Sequence, residues 1–216
     1  MDQPITYLLL LLVAMVPIAI YLQRRFERKR AEAFEQAARS LGFLPATGPT
    51  SSPEPDPLFP LMDRGHSRKV TNAWSGILDG APVRLFDYRF TTGGGKSQHV
   101  HRYTVAVFPE AGPTLPEFDL APESVLSRIG QIFGYQDIDF PEDEGFSRQY
   151  LLRGRDEGAI RSALHPIRGL LVDRPGWCIQ VRRGSVAVFR REGTWKPEEI
   201  PETLAAARRI VGALVA

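Results

Sequence analysis

An uncharged run of 18 residues, at positions 5–22, constrains this chain more than any other feature. It reads ITYLLLLLVAMVPIAIYL and would be about 27 Å long as an α-helix, close to the roughly 30 Å hydrocarbon core of a bilayer. Its aliphatic side chains contribute about −3 to −7 kcal/mol of insertion free energy. A cleaved signal peptide fits less well, because no cation precedes the run and no small-residue cleavage site follows it. The run predicts a transmembrane anchor over residues 1–22.

The charges beside this run set the expected orientation. Positions 23–30 contain five cations and one glutamate, and the rest of the chain is nearly neutral, with an overall net charge of +2. Cytoplasmic flanks retain Lys and Arg, so we expect a single-pass protein of the bacterial inner membrane, with the N-terminus outside and the C-terminal domain in the cytoplasm. The near-neutral domain argues against nucleic acid as a partner.

The same cations are candidates for contact with anionic lipid headgroups. An ordinary positive-inside flank is the plainer interpretation, since topology alone requires basic residues here. The candidate membrane-surface residues are Arg24, Arg25, Arg28, Lys29 and Arg30.

Composition divides the remaining chain into three parts. Residues 23–44 predict a basic juxtamembrane helix, with Phe34 and Ala38 on an apolar stripe and Gly42 after its end. Residues 45–58 are rich in proline and predict a semi-rigid linker. Residues 59–216 then form one cytoplasmic domain, so we expect four segments in all.

Within the domain, alternating patterns predict strands that are arranged as hairpins. One hairpin pairs residues 83–91 with residues 99–108, and a second pairs residues 177–181 with residues 186–191. A C-terminal amphipathic helix is expected from about residue 197 to residue 214. Strands in hairpins with helices between them indicate an α+β fold, with a mainly antiparallel sheet behind the N-terminal transmembrane helix.

Further elements are expected between the two hairpins. Residues 70–77 and 146–153 predict strands, and residues 122–133 predict a helix. Asp156 is placed to cap a short helix that ends near His165, because Pro166 disfavours helical geometry before it.

Several segments of the domain resemble one group of proteins. The segments are FDYRFTTGGGKSQHVHRYTVAVF, FGYQDIDF, FSRQYLLRGRDEGAIR and WCIQVRRGSVAVF, and the resemblance covers about residues 59 to 191. They are similar to uncharacterised bacterial proteins with one membrane span and a cytoplasmic α+β domain. The resemblance implies no activity, cofactor or site residue.

Two patterns are candidates for a binding site: a glycine-rich segment for phosphate and a pair of histidines for a metal. GGGKS at positions 93–97 lacks the spacing of a phosphate-binding loop and precedes a strand, so we interpret it as a hairpin turn. His99 and His101 leave the same face of a strand and could share a metal, with a third ligand from His66, from Asp63 or from the acidic segment DIDF. A partly buried strand with polar residues at its outer end is the plainer interpretation.

Acidic residues and the single cysteine complete the candidates. Asp137 and Asp139 precede further carboxylates but lack calcium-loop spacing, so we expect a solvated loop with capping roles, or a surface that faces the basic patch or a partner. Cys178 lies between apolar residues and is interpreted as a small buried side chain.

These patterns favour a membrane-tethered, noncatalytic module that binds another protein or the membrane surface. The expected partners are the lipid bilayer and a membrane-associated protein, without nucleic acid and without a cofactor. The alternative is a membrane-anchored, metal-dependent hydrolase that uses His99 and His101. The sequence leaves enzymatic activity undecided and favours its absence, because it contains no established catalytic motif.

Overall fold

The computed structural model describes residues 3–46, 58–122, 125 and 136–216, with the backbone alone for residues 3–14 and 136. The helices are α1 (Gln3–Ser40), α2 (Pro60–Asp63), α3 (Glu144–Ser147), α4 (Glu157–Leu164), α5 (Arg168–Asp173) and α6 (Ile200–Leu214). The strands are β1 (Leu44–Pro45), β2 (His66–Leu78), β3 (Ala81–Thr92), β4 (His99–Phe108), β5 (Phe118–Ala121), β6 (Gln136–Asp137), β7 (Leu151–Gly154), β8 (Trp177–Arg182) and β9 (Ser185–Arg190). Two short 3₁₀ turns cover Gly95–Ser97 and Pro197–Glu199.

These strands form one sheet in the order β1-β2-β3-β4-β9-β8-β5-β7-β6, and every neighbouring pair is antiparallel. The α+β class and the antiparallel sheet agree with the sequence prediction. The two predicted hairpins correspond to β3–β4 and β8–β9. The long β2 extends the first hairpin into a three-stranded meander, which carries the candidate site described below.

The predicted transmembrane helix is corrected by the structure. Across the described residues, no helix has both the length and the apolar character that crossing a bilayer requires. A span needs about 20 apolar residues, and the described side chains of α1 provide an apolar stretch only at positions 15–22, before Gln23. The side chains of residues 5–14, which formed the first part of the predicted span, lie outside the described residues.

Two other predictions fall partly or wholly outside the described residues. They are most of the proline-rich linker, at positions 47–57, and the helix expected at positions 122–133.

The strand predicted at positions 146–153 is also wrong in its first half. The Asp143 carboxylate accepts a hydrogen bond from the Phe146 amide at 3.0 Å and caps α3, so the chain turns there instead of extending. Strand β7 begins only at Leu151. In contrast, Asp156 caps α4 as predicted, through the amide of Ala159 at 3.0 Å.

The sheet has an apolar core on each face. One face packs against α1, α4, α5 and α6 through residues such as Phe34, Leu85 and Leu204. The opposite face is covered by the segment around α2, where Phe59 and Leu61 belong to the same buried apolar cluster as Phe90. The helix face predicted at the C-terminus is buried in the first core, through Leu204, Ala207, Ile210, Val211 and Leu214.

The C-terminal end of α1 is fixed firmly to the first face. Phe34 and Ala38 are fully buried, as the predicted stripe requires. Gly42 has a φ of 75°, and the amide of Phe43 donates to the carbonyl of Ala38 at 3.0 Å, which is the bond pattern of a Schellman C-cap. The preceding turns of α1 therefore have a defined direction across β2, β3 and β4.

Candidate anion-binding site

The site begins with two irregularities in strand β2. Where the partner strand advances from Asp87 to Leu85, β2 advances from Thr71 to Trp74, so one extra residue is inserted. Such a bulge keeps Thr71 and Trp74 on the same face of the sheet, although they are three positions apart. The extra residue, Asn72, has a φ of 50°, which is costly for a residue with a β-carbon.

A second register shift lies between His66 and Lys69, where Ser67 also has a positive φ of 52°. Lys69 and Thr71 thus form a short regular segment between two bulges. Bulges of this kind re-aim side chains, and here they direct Lys69 and Thr71 to the face that α1 covers.

Asn72, the extra residue of the bulge, belongs to a polar network around the Asp87 carboxylate. Arg30 of α1 donates to both carboxylate oxygens, from Nε to Oδ2 and from Nη2 to Oδ1, each at 2.9 Å. Asn72 Nδ2 donates to Oδ2 at 2.9 Å, and Thr104 Oγ1 donates to Oδ1 at 2.7 Å. Arg30 Nη1 also donates to the carbonyl of Trp195 at 3.0 Å. One buried carboxylate therefore joins α1, β2, β3 and β4, and its arginine partner also holds the loop after β9.

Next to this network, three cations lie side by side across three strands. In the β-ladder, Lys69 is opposite Arg89, and Arg89 is opposite Arg102. Directly opposed like charges destabilise a sheet, so this row is unfavourable by itself. The Nε atom of Arg89 is buried and has no hydrogen-bond partner among the described residues. Burial of an unpaired donor on a cation adds a further cost.

Helix α1 brings more positive charge over the row. Arg24 and Arg28 lie on the α1 face that continues to Ala31, Phe34 and Ala38, because these positions follow the three- and four-residue spacing of a helix. Together the helix and the strands enclose a groove with a volume of about 460 Å³. We call it the cationic groove, and its cations are Arg24, Arg28, Arg30, Lys69, Arg89 and Arg102.

The charges in the cationic groove are not balanced. Among the described residues, only Arg30 of these six cations forms a salt bridge. Two carboxylates line the groove: Asp87 is saturated by the network described above, and Glu27 accepts a hydrogen bond from Gln23 at 3.1 Å. Within the described parts of the chain, five cations thus converge without a salt bridge beside one further carboxylate, Glu27, and a bound anion stabilises such an excess of positive charge.

An exposed apolar surface adjoins the cationic groove on α1. Residues 15–22 and Phe26 include several large apolar side chains that face solvent, with Phe26 69% exposed and Tyr21 62% exposed. Contiguous exposed apolar surface that is bordered by charge is typical of a binding region. An anion-binding groove and an apolar helix surface are therefore adjacent along one helix.

The five predicted membrane-surface residues do not all have the same role in the structure. Arg24, Arg28 and Arg30 line the cationic groove, whereas Arg25 and Lys29 do not. Arg30 is engaged with Asp87, so its side chain holds the fold together. Whether these residues contact a membrane surface stays a prediction.

Two of the candidate metal ligands, His101 and His66, have other contacts in the structure. His101 Nε2 is hydrogen-bonded to Thr92 Oγ1 at 2.8 Å, and its ring stacks on Phe90 with centroids 4.8 Å apart. His66 instead contacts the Gly93 carbonyl through Nε2 at 3.1 Å. In the part of the chain that the structure describes, no group of three potential ligands is placed to hold a metal ion. The hydrolase alternative therefore has no structural support from these residues.

The acidic segment is paired locally. Asp137 accepts from Arg153 Nε at 2.6 Å, and Glu142 accepts from Arg168 at 3.2 Å. Arg168 also lies over the ring of Phe140, 4.7 Å from its centroid. The segment forms salt bridges with its own domain and caps α3, in agreement with the predicted capping role.

Two further predictions concern the GGGKS segment and the cysteine. The GGGKS segment forms the loop between β3 and β4, with Gly93 at a φ of 77° and a 3₁₀ turn over Gly95–Ser97, as expected for a hairpin connection. Cys178 is fully buried, and desolvation raises the pKa of its thiol, so it is an unreactive core residue.

Sequence reasoning missed the strand half of the site. Asp87 and Arg89 alternate with the aromatic residues Phe86, Tyr88 and Phe90, and that alternation indicated a polar face opposite the aromatic one. No sequence signal placed Lys69 and Arg102 beside Arg89, because their alignment depends on the register of two separate strand pairs.

Comparison with known proteins supports the fold. No family model matches the chain, and no curated protein matches it in sequence. One solved structure is similar, the crystal structure of the mycobacterial trehalose monomycolate transport factor A, TtfA. The TM-score is 0.62 at 15% sequence identity, and the match covers 87% of this chain and 95% of that one. At this identity the likeness shows a shared fold.

Proposed function

We propose that this protein is a noncatalytic binding module that attaches to an anionic lipid surface through the cationic groove and the adjacent apolar surface of α1. The observation that carries the proposal is the in-register row of Lys69, Arg89 and Arg102, which lies unpaired beneath two helix arginines. A row of this kind costs stability without a ligand, and an anion removes that cost.

The apolar part of α1 supplies the second half of the attachment. A helix with exposed apolar side chains next to a cationic cluster binds a lipid interface in two ways. Its apolar side chains are buried in the interface, and its cations are attracted to anionic headgroups. The cytoplasmic leaflet of a bacterial inner membrane, where anionic lipids concentrate negative potential, suits this combination. The module would work there beside the membrane or a membrane-associated protein.

The fold neighbour also supports this proposal. TtfA is named as a transport factor for trehalose monomycolate, which is a lipid. The shared fold agrees with a module that works beside lipids.

Vesicle flotation of the full chain tests the proposal. We expect more protein on vesicles of phosphatidylcholine with phosphatidylglycerol than on phosphatidylcholine alone, with a difference that shrinks as salt increases. The Arg89→Gln/Arg102→Gln variant should lose most of that difference. The matched control is Arg183→Gln/Arg209→Gln, which removes two exposed arginines outside the groove and should retain it.

Two outcomes of the flotation experiment would contradict the proposal. If the groove variant and the control bind anionic vesicles alike, or if anionic lipid makes no difference to the unmodified chain, the proposed attachment is wrong.

A further inference from the structure

We propose that the cationic groove binds the phosphomonoester headgroup of a lipid, and that the bound phosphate joins α1 to the sheet. This inference rests on the proposed attachment to an anionic lipid surface and specifies its ligand. It follows from the number of unpaired cations, from their chemistry and from their division between two elements of the fold.

The number of cations favours a ligand with more than one negative charge. A carboxylate or a phosphodiester carries one charge, which compensates only a small part of the excess that the five cations leave in the groove even with Glu27 counted. A phosphomonoester carries about −1.5 to −2 at neutral pH and presents three strong acceptor oxygens. It therefore matches the charge imbalance better than either singly charged group does.

The identity of the cations favours phosphate oxygens. Four of the five are arginines, and the planar guanidinium matches phosphate with two parallel hydrogen bonds. The buried, unpartnered Nε of Arg89 is a donor for one such bond. Asp87 does not compete for these arginines, because Arg30, Asn72 and Thr104 already saturate it.

The size of the groove favours a headgroup that is attached to a larger molecule. Its volume of about 460 Å³ is in the range of small-molecule sites and greatly exceeds that of a single phosphate. The exposed apolar side chains of residues 15–22 lie further along the same helix, where they can contact the lipid that carries the headgroup.

The division of the cations between two elements gives the site a structural consequence. Arg24 and Arg28 belong to α1, whereas Lys69, Arg89 and Arg102 belong to the sheet. Their mutual repulsion opposes close approach of this part of the helix, and the side chains on both elements can donate to the same phosphate. A ligand that binds only the assembled groove stabilises the folded arrangement by mass action.

The experiment compares headgroups on the full chain at equal surface potential. Phosphatidylcholine vesicles are prepared with phosphatidic acid, which carries a phosphomonoester, or with phosphatidylglycerol, which carries a phosphodiester, and are matched by electrophoretic mobility. We expect roughly tenfold or greater preference for phosphatidic acid. The Arg28→Gln variant and the Arg89→Gln variant should each reduce this preference, because each removes one side of the site, and Arg183→Gln should retain it.

The outcomes separate this inference from the proposed function. Equal binding to the two anionic vesicles, both above neutral vesicles, would overturn the phosphomonoester assignment and leave the proposed attachment intact. No preference for either anionic vesicle over neutral ones would overturn both.

Inorganic phosphate identifies the source of the phosphate group. If millimolar phosphate raises the melting temperature of the full chain while phosphatidic acid vesicles bind no better than phosphatidylglycerol vesicles, the ligand is free phosphate and the lipid assignment is wrong. If phosphatidic acid vesicles are preferred in the presence of that phosphate, the lipid assignment holds.

Discussion

The contact between α1 and the sheet differs at its two ends: one end is apolar and buried, and the other brings like charges together. At the C-terminal end, Phe34 and Ala38 bury apolar surface against residues such as Leu85, and the helix closes with a glycine cap. Toward the N-terminus, the same helix face carries Arg24 and Arg28 above a row of like charges. The Asp87 network forms the boundary between the two ends.

The apolar end stabilises the fold, whereas the cationic end is available to bind a ligand. The apolar end is stabilising, because large side chains are buried there and the helix terminus is capped. The cationic end violates two preferences, through opposed like charges and an unpaired buried donor. Violations of this kind concentrate at binding sites, and the contrast predicts opposite mutational behaviour at the two ends.

The largest expected effect is at the apolar end. Phe34→Ala should destabilise the protein by about 3–5 kcal/mol, because it leaves a cavity where a fully buried ring was packed. Urea unfolding followed by circular dichroism measures the change. Phe26→Ala is the matched control on the same helix, and its loss should stay within about 0.5 kcal/mol because Phe26 is exposed. Equal losses for the two variants would contradict the comparison.

The second effect is at the boundary. Arg30→Gln should cost about 3 kcal/mol, because it leaves the Asp87 carboxylate buried without its cation. The same unfolding measurement applies. Adding Asp87→Asn to Arg30→Gln should recover part of the loss, since the unpaired charge is then gone. A double variant as unstable as the sum of the two single variants would show that the pair is not coupled.

The third effect concerns the strained residue in the bulge. Asn72→Ala should cost about 1–2 kcal/mol, because alanine loses the hydrogen bond to Asp87 and adopts a positive φ unfavourably. Asn72→Gly should cost less, since glycine accepts this backbone conformation freely. The reverse order in thermal unfolding would mean that backbone conformation does not limit the choice of residue at this position.

The smallest effect is at the cationic end, where the substitution is expected to raise the stability of the fold and not to lower it. Arg102→Gln should leave stability unchanged or raise it by up to about 1 kcal/mol, because it relieves repulsion from Arg89. The gain should shrink at high salt, where the repulsion is screened. Comparison with Arg183→Gln, which should have little effect at either salt concentration, isolates the contribution of the row. A clear loss of stability on removing Arg102 would break the contrast between the two ends.

Local patterns in the sequence were sufficient for several elements. The range 99–108 predicted β4, and Asp156 predicted the N-terminus of α4, because alternation and capping depend on nearby residues. The same local reasoning was wrong for residues 146–150, where the Asp143 cap forms a helical turn. It also assigned the apolar run to a bilayer span, which the described part of the chain does not support.

The candidate site was predictable only in part, for a geometric reason. Arg24 and Arg28 were identified from their position in a basic cluster, whereas the polar side of β3 was missed although the alternation of this strand contained a signal for it. The neighbours Lys69 and Arg102 depend on strand register, and the register of β2 depends on two bulges that no local pattern indicated. A shift of one residue would have turned these cations to the opposite face.

By itself, the sequence determined the α+β class, the hairpins and the stripe by which α1 attaches to the sheet, because each depends on the periodicity of neighbouring residues. Only the tertiary structure decided that five cations from a helix and three strands meet without a salt-bridge partner in the described parts of the chain. Charges that are distant along the chain interact according to their separation in space, and that separation is set by register, bulges and helix docking together.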